Sequence, residues 1–70
     1  MFRQTISSTE LRSAGYEEEH RLLEVEFQNG RVYQYYQVPP TVYFALISAS
    51  SKGRYFNSQI RDVFRCNRVM

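Results

Sequence analysis

Arginine is the residue type whose spacing most clearly suggests chemistry in this 70-residue sequence. Between residues 54 and 68 the arginines recur after seven, four and three residues, at Arg54, Arg61, Arg65 and Arg68. On one continuous helix these positions would share a single stripe. A guanidinium group binds phosphate through two parallel hydrogen bonds and also stacks on bases. The spacing therefore predicts a surface for a polyanion, although an ordinary solvated helix face produces the same pattern.

The formal charge is divided unevenly along the chain. Residues 1–26 carry six glutamates and three arginines, a charge of −3, whereas residues 27–70 carry six cations and one aspartate, a charge of +5. An anionic partner is therefore expected at the second half.

A run of small residues precedes the predicted second helix and supplies the only lysine, Lys52. Backbone N–H groups at a helix start can hold an anion, but an N-cap formed by Ser50 or Ser51 is the favoured interpretation. Tyr55 and Asn57 follow directly, where they would either add contacts to a ligand or fix the loop.

Three tyrosines in one predicted strand, Tyr33, Tyr35 and Tyr36, offer a second kind of contact. Aromatic rings on a sheet can stack on unpaired bases. Core packing is the favoured interpretation for Tyr33 and Tyr35, which leaves Tyr36 as the exposed ring. On the outer face of the sheet, Glu24 and Glu26 would repel phosphate, so the helix is favoured over the sheet as the binding surface.

Residues suited to catalysis or metal binding are scarce. The single histidine, His20, and the single cysteine, Cys66, are far apart in sequence and supply neither an activated nucleophile nor a four-ligand metal site. We therefore expect no enzyme activity, no metal and no cofactor.

Compartment is predicted from the same counts. One cysteine suits a reducing cytoplasm, and no apolar run approaches the about 20 residues of a membrane span. Met1 starts a segment without the pattern of a signal peptide, so we expect a complete cytoplasmic chain without membrane attachment.

The periodicity predicts an α+β fold, a three-stranded antiparallel meander followed by two helices packed on one face. The strands are expected at Leu11–Tyr16, around the alternating residues 23–27, and at Val32–Val38. Pro40 begins the first helix, which should be well buried through Val42, Ala45, Leu46 and Ala49. The second helix would bury Phe56, Ile60, Val63 and Phe64. All 70 residues form one domain, with a core at about residues 5–64.

Two registers are possible for the hairpin that turns at Asn29-Gly30. A two-residue turn places Gln34 on the face of Leu23 and Val25, whereas a three-residue loop with a bulge opposes Phe27 to Arg31 and turns Gln34 outward. The second register is preferred because a buried, unpaired amide costs about 1–3 kcal/mol.

The ordered motifs of this sequence resemble the KTSC domain, named for its occurrence at the C-terminus of some lysyl-tRNA synthetases and found also as a small bacterial or phage protein. The resemblance covers roughly Thr5 to Phe64 and is carried mainly by Tyr33-x-Tyr35-x-x-Val38-Pro39 and Ser51-x-Gly53-x-Tyr55-Phe56-Asn57. Two departures are the run Glu17–Glu19, where an aspartate commonly follows Gly-Tyr, and Ala14, where a larger aliphatic residue is usual. The resemblance implies above all the fold, and RNA binding is the activity usually suggested for the family because of the synthetase association.

Two functions are therefore expected. The first is a non-catalytic nucleic-acid-binding module, with RNA favoured over DNA, that binds through Lys52, Arg54, Tyr55, Asn57, Arg61, Arg65 and Arg68, with possible stacking on Tyr33, Tyr35 and Tyr36. The alternative is an accessory module of bacterial or phage origin that binds an acidic protein surface. Either a monomer or a homodimer is compatible with the sequence.

Overall fold

The computed structural model describes residues 1–70 as a five-stranded antiparallel sheet covered by two helices. The elements are β1 (Gln4–Thr5), β2 (Leu11–Glu17), β3 (Leu22–Phe27), β4 (Val32–Tyr35), α1 (Pro40–Ser48), α2 (Lys52–Gln59) and β5 (Cys66–Arg68). The strand order follows the chain, and both helices lie in the connection between β4 and β5.

The α+β class is confirmed, but the predicted three-stranded meander is too small. Strands β2, β3 and β4 are the predicted ones, and β1 and β5 extend the sheet at its two edges. Both added strands are fully exposed and only two and three residues long. They carry no alternation of apolar and polar residues, so pairing with β2 and β4 defines them and local sequence preference does not.

The prediction of a long second helix is wrong. The four arginines therefore do not share one helical stripe, and that prediction is wrong as well. Helix α2 ends at Gln59, and the next N–H groups, of Ile60 and Arg61, both donate to Phe56 O. Asp62 then adopts a left-handed conformation (φ 64°), and the chain returns as β5. The reason is the free edge of β4, which bonds β5 in register from Tyr33 to Tyr35. Val63, expected in the core, is 60% exposed.

The hairpin register is the preferred one. The Phe27 N–H donates to Arg31 O, the Gly30 N–H donates to Phe27 O, and Gly30 takes a left-handed conformation (φ 89°). This is a three-residue loop closed by a glycine bulge. Leu23 and Val25 therefore oppose Tyr35 and Tyr33, and Gln34 opposes Glu24 on the other face.

Both helices pack on the face that carries these aromatic residues, as predicted. Phe56 of α2 is fully buried and makes edge-to-face contacts with Phe27 and Tyr35, at ring-centroid distances of 5.4 and 5.5 Å. On α1 the ring of Tyr43 stacks on Tyr16 of β2 at 5.1 Å. Helix α1 is less buried than expected, since Leu46 is its one fully buried residue.

The outer face of the sheet is polar and is covered by the N-terminal segment. Arg3 Nη1 lies 2.6 Å from a carboxylate oxygen of Glu24, which is only 9% exposed, and Gln34 Nε2 donates to the other oxygen at 2.9 Å. Glu26 accepts a hydrogen bond from Ser13 Oγ at 2.9 Å. Gly15 permits this crossing, because a Cβ atom there would lie 2.3 Å from the Phe2 carbonyl oxygen.

Replacing Gly15 by alanine should destabilise the protein by about 1–3 kcal/mol, because the added methyl group forces the N-terminal segment away from β2. Urea unfolding measures the change. The matched control is Gly53→Ala: a Cβ there has no atom closer than 3.5 Å, and alanine favours α2 by about 0.5–1 kcal/mol. Equal destabilisation by both substitutions would contradict this account of Gly15.

Removing the charge of Arg3 should leave Glu24 without its cation. Arg3→Met, which keeps the apolar stem, is expected to cost about 1–3 kcal/mol in urea unfolding. Arg12→Met is the comparison, because Arg12 is more exposed and lies 3.6 Å from Glu26; it should cost less than about 1 kcal/mol. A larger loss for Arg12 than for Arg3 would refute the proposed importance of the Glu24 contact.

Candidate functional site

The ion pairs of the protein are confined to residues 1–26. Arg3 and Arg12 pair with Glu24 and Glu26, and His20 pairs with Glu17. None of the six cations in residues 27–70 has an Asp or Glu carboxylate oxygen within 4.0 Å. The cations of the second half are therefore not neutralised by Asp or Glu side chains.

An aromatic groove of about 510 Å³ opens on the helix-bearing side of the sheet, at the end where β3 turns into β4. Its apolar surface is formed by Phe27 and Tyr33, with Tyr35 beneath. Arg31 and Arg61 lie at its rim, and Arg68 is beside Tyr33 in the β4–β5 register. The remaining lining residues are Thr9, Glu10, Gln28, Asn29, Asp62 and Cys66.

The rings of this groove are held in fixed orientations. Tyr33 meets Phe27 edge to face at 5.7 Å and lies 6.4 Å from the Tyr35 ring. The guanidinium carbon of Arg61 lies 5.6 Å from the centroid of Phe56, within the range of a cation–π contact. Burial raises the pKa of Tyr35 to about 12. At 4% exposure Tyr35 belongs to the core, and Tyr33 and Phe27 supply the accessible ring surface.

A serine-rich cleft of about 680 Å³ adjoins the aromatic groove, and the two share Thr9 and Glu10. Its eleven lining residues include no hydrophobic side chain, and both Lys52 and Arg54 contribute to it. The favoured interpretation of this loop as an N-cap is confirmed, since Ser51 Oγ accepts from the Arg54 N–H. Lys52 Nζ donates to the Ala49 carbonyl oxygen at 2.9 Å.

Asn57 and Tyr55 hold α2 in place. The side-chain amide of Asn57 donates to both carboxylate oxygens of Glu10, at 3.0 and 3.2 Å, and so connects α2 to the loop before β2. Tyr55 is partly buried against the core. Glu10 consequently places a negative charge where the cleft and the groove meet.

The structure therefore divides eight of the ten predicted site residues among three places, while Tyr55 packs on the core and Arg68 lies beside Tyr33. Lys52, Arg54 and Asn57 line the serine-rich cleft, whereas Tyr33, Tyr35 and Arg61 line the aromatic groove. Tyr36 and Arg65 lie in a third groove, beside Val63 and Phe64. Tyr36 is 38% exposed, which confirms it as an exposed aromatic residue.

Phe27 and Arg31 line the groove but were not among the site residues predicted from the sequence. The preferred register already opposes these two residues and places them two positions from Val25 and Tyr33 on the same face. The register at the loop end of the hairpin is therefore the sequence signal for both residues. Glu10 carries no such signal, because the fold of α2 brings Asn57 to it across 47 positions of sequence.

Neither helix has the length and apolarity of a membrane span. No group of three or more His, Cys, Asp or Glu side chains is arranged to hold a metal ion.

Similarity to known proteins extends over most of the chain. The sequence is 51% identical over 57 residues to an uncharacterized protein of Stutzerimonas stutzeri, covering 81% of this chain and 80% of that protein. It is 40% identical over 55 residues to the lysine–tRNA ligase of Nostoc punctiforme, where the match covers 79% of this chain but only 10% of the ligase.

A crystal structure of a KTSC domain protein from Yersinia pestis has the same fold. The TM-score is 0.93 at 38% sequence identity, and the superposition covers 99% of this chain and 97% of that protein. Residues 7–64 match the KTSC domain itself. Together with the motifs and the fold, these similarities show that the chain belongs to the KTSC domain family.

Proposed function

We propose that this KTSC domain is a non-catalytic module that binds RNA across the adjoining aromatic groove and serine-rich cleft. The observation that carries the proposal is the position of four cations without ion pairs, Lys52 and Arg54 in the cleft and Arg31 and Arg61 at the groove, beside partly exposed rings. Guanidinium and ammonium groups bind phosphate, and aromatic rings stack on bases.

The placement of charge on the two faces supports this choice of surface. The carboxylates of the outer face are occupied by Arg3, Arg12 and Gln34, whereas the groove and the cleft lie on the opposite side of the sheet. The lysine–tRNA ligases among the relatives act, by their name, on a tRNA, and a segment similar to this chain forms about a tenth of them. That association favours RNA over DNA.

The arginines beyond α2 differ in how close they lie to the proposed RNA-binding surface. Arg61 remains a phosphate contact, and Arg68 lies next to Tyr33 through the β4–β5 pairing. Arg65 lies in the third groove, away from Lys52 and Arg54, so it is a secondary contact at most.

RNA binding should fall steeply with salt. Four phosphate contacts to a single strand predict a slope of about −2.8 in log K against log salt, which weakens micromolar binding by about 50-fold between roughly 50 and 200 mM salt. Fluorescence anisotropy with mixed-sequence RNA measures the slope. Arg31→Gln combined with Arg61→Gln should flatten it by about 1.4.

The matched control for these variants is Arg21→Gln. Arg21 has no ion pair and lies in the β2–β3 turn, at the opposite end of β3 from Phe27, so its removal should leave the slope unchanged. Flat, salt-insensitive traces, or an equal effect of the control, would contradict the proposal.

Glu10 allows a test that increases affinity. Its carboxylate lies between the cleft and the groove and would repel a phosphate that passes from one to the other. Glu10→Gln keeps an oxygen that can accept from Asn57 and should tighten RNA binding about two- to fivefold at low salt. Binding that is unchanged or weakened, with the melting temperature retained, would place the RNA elsewhere.

A protein partner is the second candidate function, and Phe44 favours it. This ring on α1 is 59% exposed, and it lies next to Tyr43 rather than at either cationic surface. Exposed aromatic residues are common anchors of protein interfaces. Purification from cells with and without nuclease separates the candidates, because a partner held by Phe44 stays bound after nuclease and is lost with Phe44→Ser.

A further inference from the structure

We infer that the aromatic groove takes an unpaired base of single-stranded RNA, with the base against Tyr33 and Phe27 and the adjoining phosphate against Arg31 and Arg61. This inference rests on the proposed RNA binding and specifies which form of RNA the site selects. Three properties of the groove carry it: the fixed rings, the mixed charge of its rim and one carboxylate that has no partner in the protein.

The rings form a rigid surface that is already prepared for stacking. Tyr33 and Phe27 are partly exposed and meet edge to face at 5.7 Å, while Tyr35 and Phe56 support them from the core. A ring held in this way loses little conformational freedom when a ligand packs on it. Bases in a duplex are already stacked and paired, so only an unpaired base can use this surface.

The rim charges favour a short unpaired segment over a duplex. Arg31 and Arg61 are offset by Glu10 and Asp62, which also line the groove. A duplex backbone would need a continuous cationic track, and the two carboxylates interrupt it. A single nucleotide offers two kinds of contact. Its anionic phosphate can bind the arginines, and the N–H groups of its base can donate hydrogen bonds to a carboxylate.

Asp62 supplies the one carboxylate of the groove that accepts no hydrogen bond within the protein. The Glu10 oxygens already accept from Asn57, and the Gln28 amide donates to the Ser8 and Leu11 carbonyl oxygens. The Asp62 carboxylate makes no hydrogen bond and no ion pair in the protein. Asp62 has a left-handed backbone conformation (φ 64°) in the turn between α2 and β5. This turn places the Asp62 carboxylate at the groove.

The test compares a labelled single strand of RNA with the duplex that it forms with its complement, by anisotropy at low salt. The native protein should prefer the single strand. Tyr33→Leu, which keeps an apolar side chain but removes the ring, should weaken single-strand binding by about 5- to 100-fold and leave duplex binding unchanged. Tyr33→Phe keeps the ring and should bind like the native protein.

Cys66 gives a second route that does not depend on how Tyr33 variants fold. It is exposed, lines the groove and is the only cysteine. Coupling a bulky maleimide to it should block the groove and weaken single-strand binding at least tenfold. Cys66→Ser, treated with the same reagent, is the control and should keep its affinity.

Failure of this inference is distinguishable from failure of the proposed function. Salt-sensitive binding that is equal for strand and duplex, and unaffected by Tyr33→Leu and by the maleimide, would overturn the groove inference and keep RNA binding. No binding to either form at low salt would overturn both. Displacement of the strand by polyglutamate, a polyanion without bases, as effectively as by unlabelled RNA would also overturn the inference.

Discussion

The register of the β3–β4 hairpin is the constraint on which the other features of the protein depend. Because Phe27 opposes Arg31, the aromatic residues of β3 and β4 face the helices, and Glu24 and Gln34 face the other way. A shift by one residue would reverse every side chain of the strand. The three-residue loop with Gly30 in a left-handed conformation sets this alignment, so a local turn decides which face carries rings and which carries carboxylates.

The same register creates a cost on the outer face, and the N-terminal segment offsets it. Glu24 lies in a central strand and is almost buried, so it needs a cation and a donor. Arg3 and Gln34 supply them, and Gly15 leaves the space that the backbone at Phe2 occupies. A glycine that weakens β2 by its low strand preference is thus required by the packing across that strand.

The central part of the fold could be predicted from the sequence because its signals are local. Alternation marks β3, Asn29-Gly30 marks the turn, and Pro40 marks the start of α1. The part beyond Gln59 could not be predicted, because the spacing of Arg54, Arg61, Arg65 and Arg68 is as regular as the spacing found in true helices. The open edge of β4 competes for this segment, and pairing of Tyr33 with Arg68 prevails over helical periodicity.

The pairing of β5 with β4 also changes where the cations of the candidate site lie. With the helix ended at Gln59, Arg61 lies over Phe56 and at the rim of the groove rather than four residues along a stripe from Arg65. The cations are thereby distributed around a ring surface instead of along a line, and a line suits a duplex backbone whereas a ring surface suits a base. Phe56 supports this surface from below and is itself at the centre of the core. Substitutions at the floor of the groove must therefore alter stability together with binding. Only substitutions at the rim or at the ring of Tyr33 can change binding without changing stability.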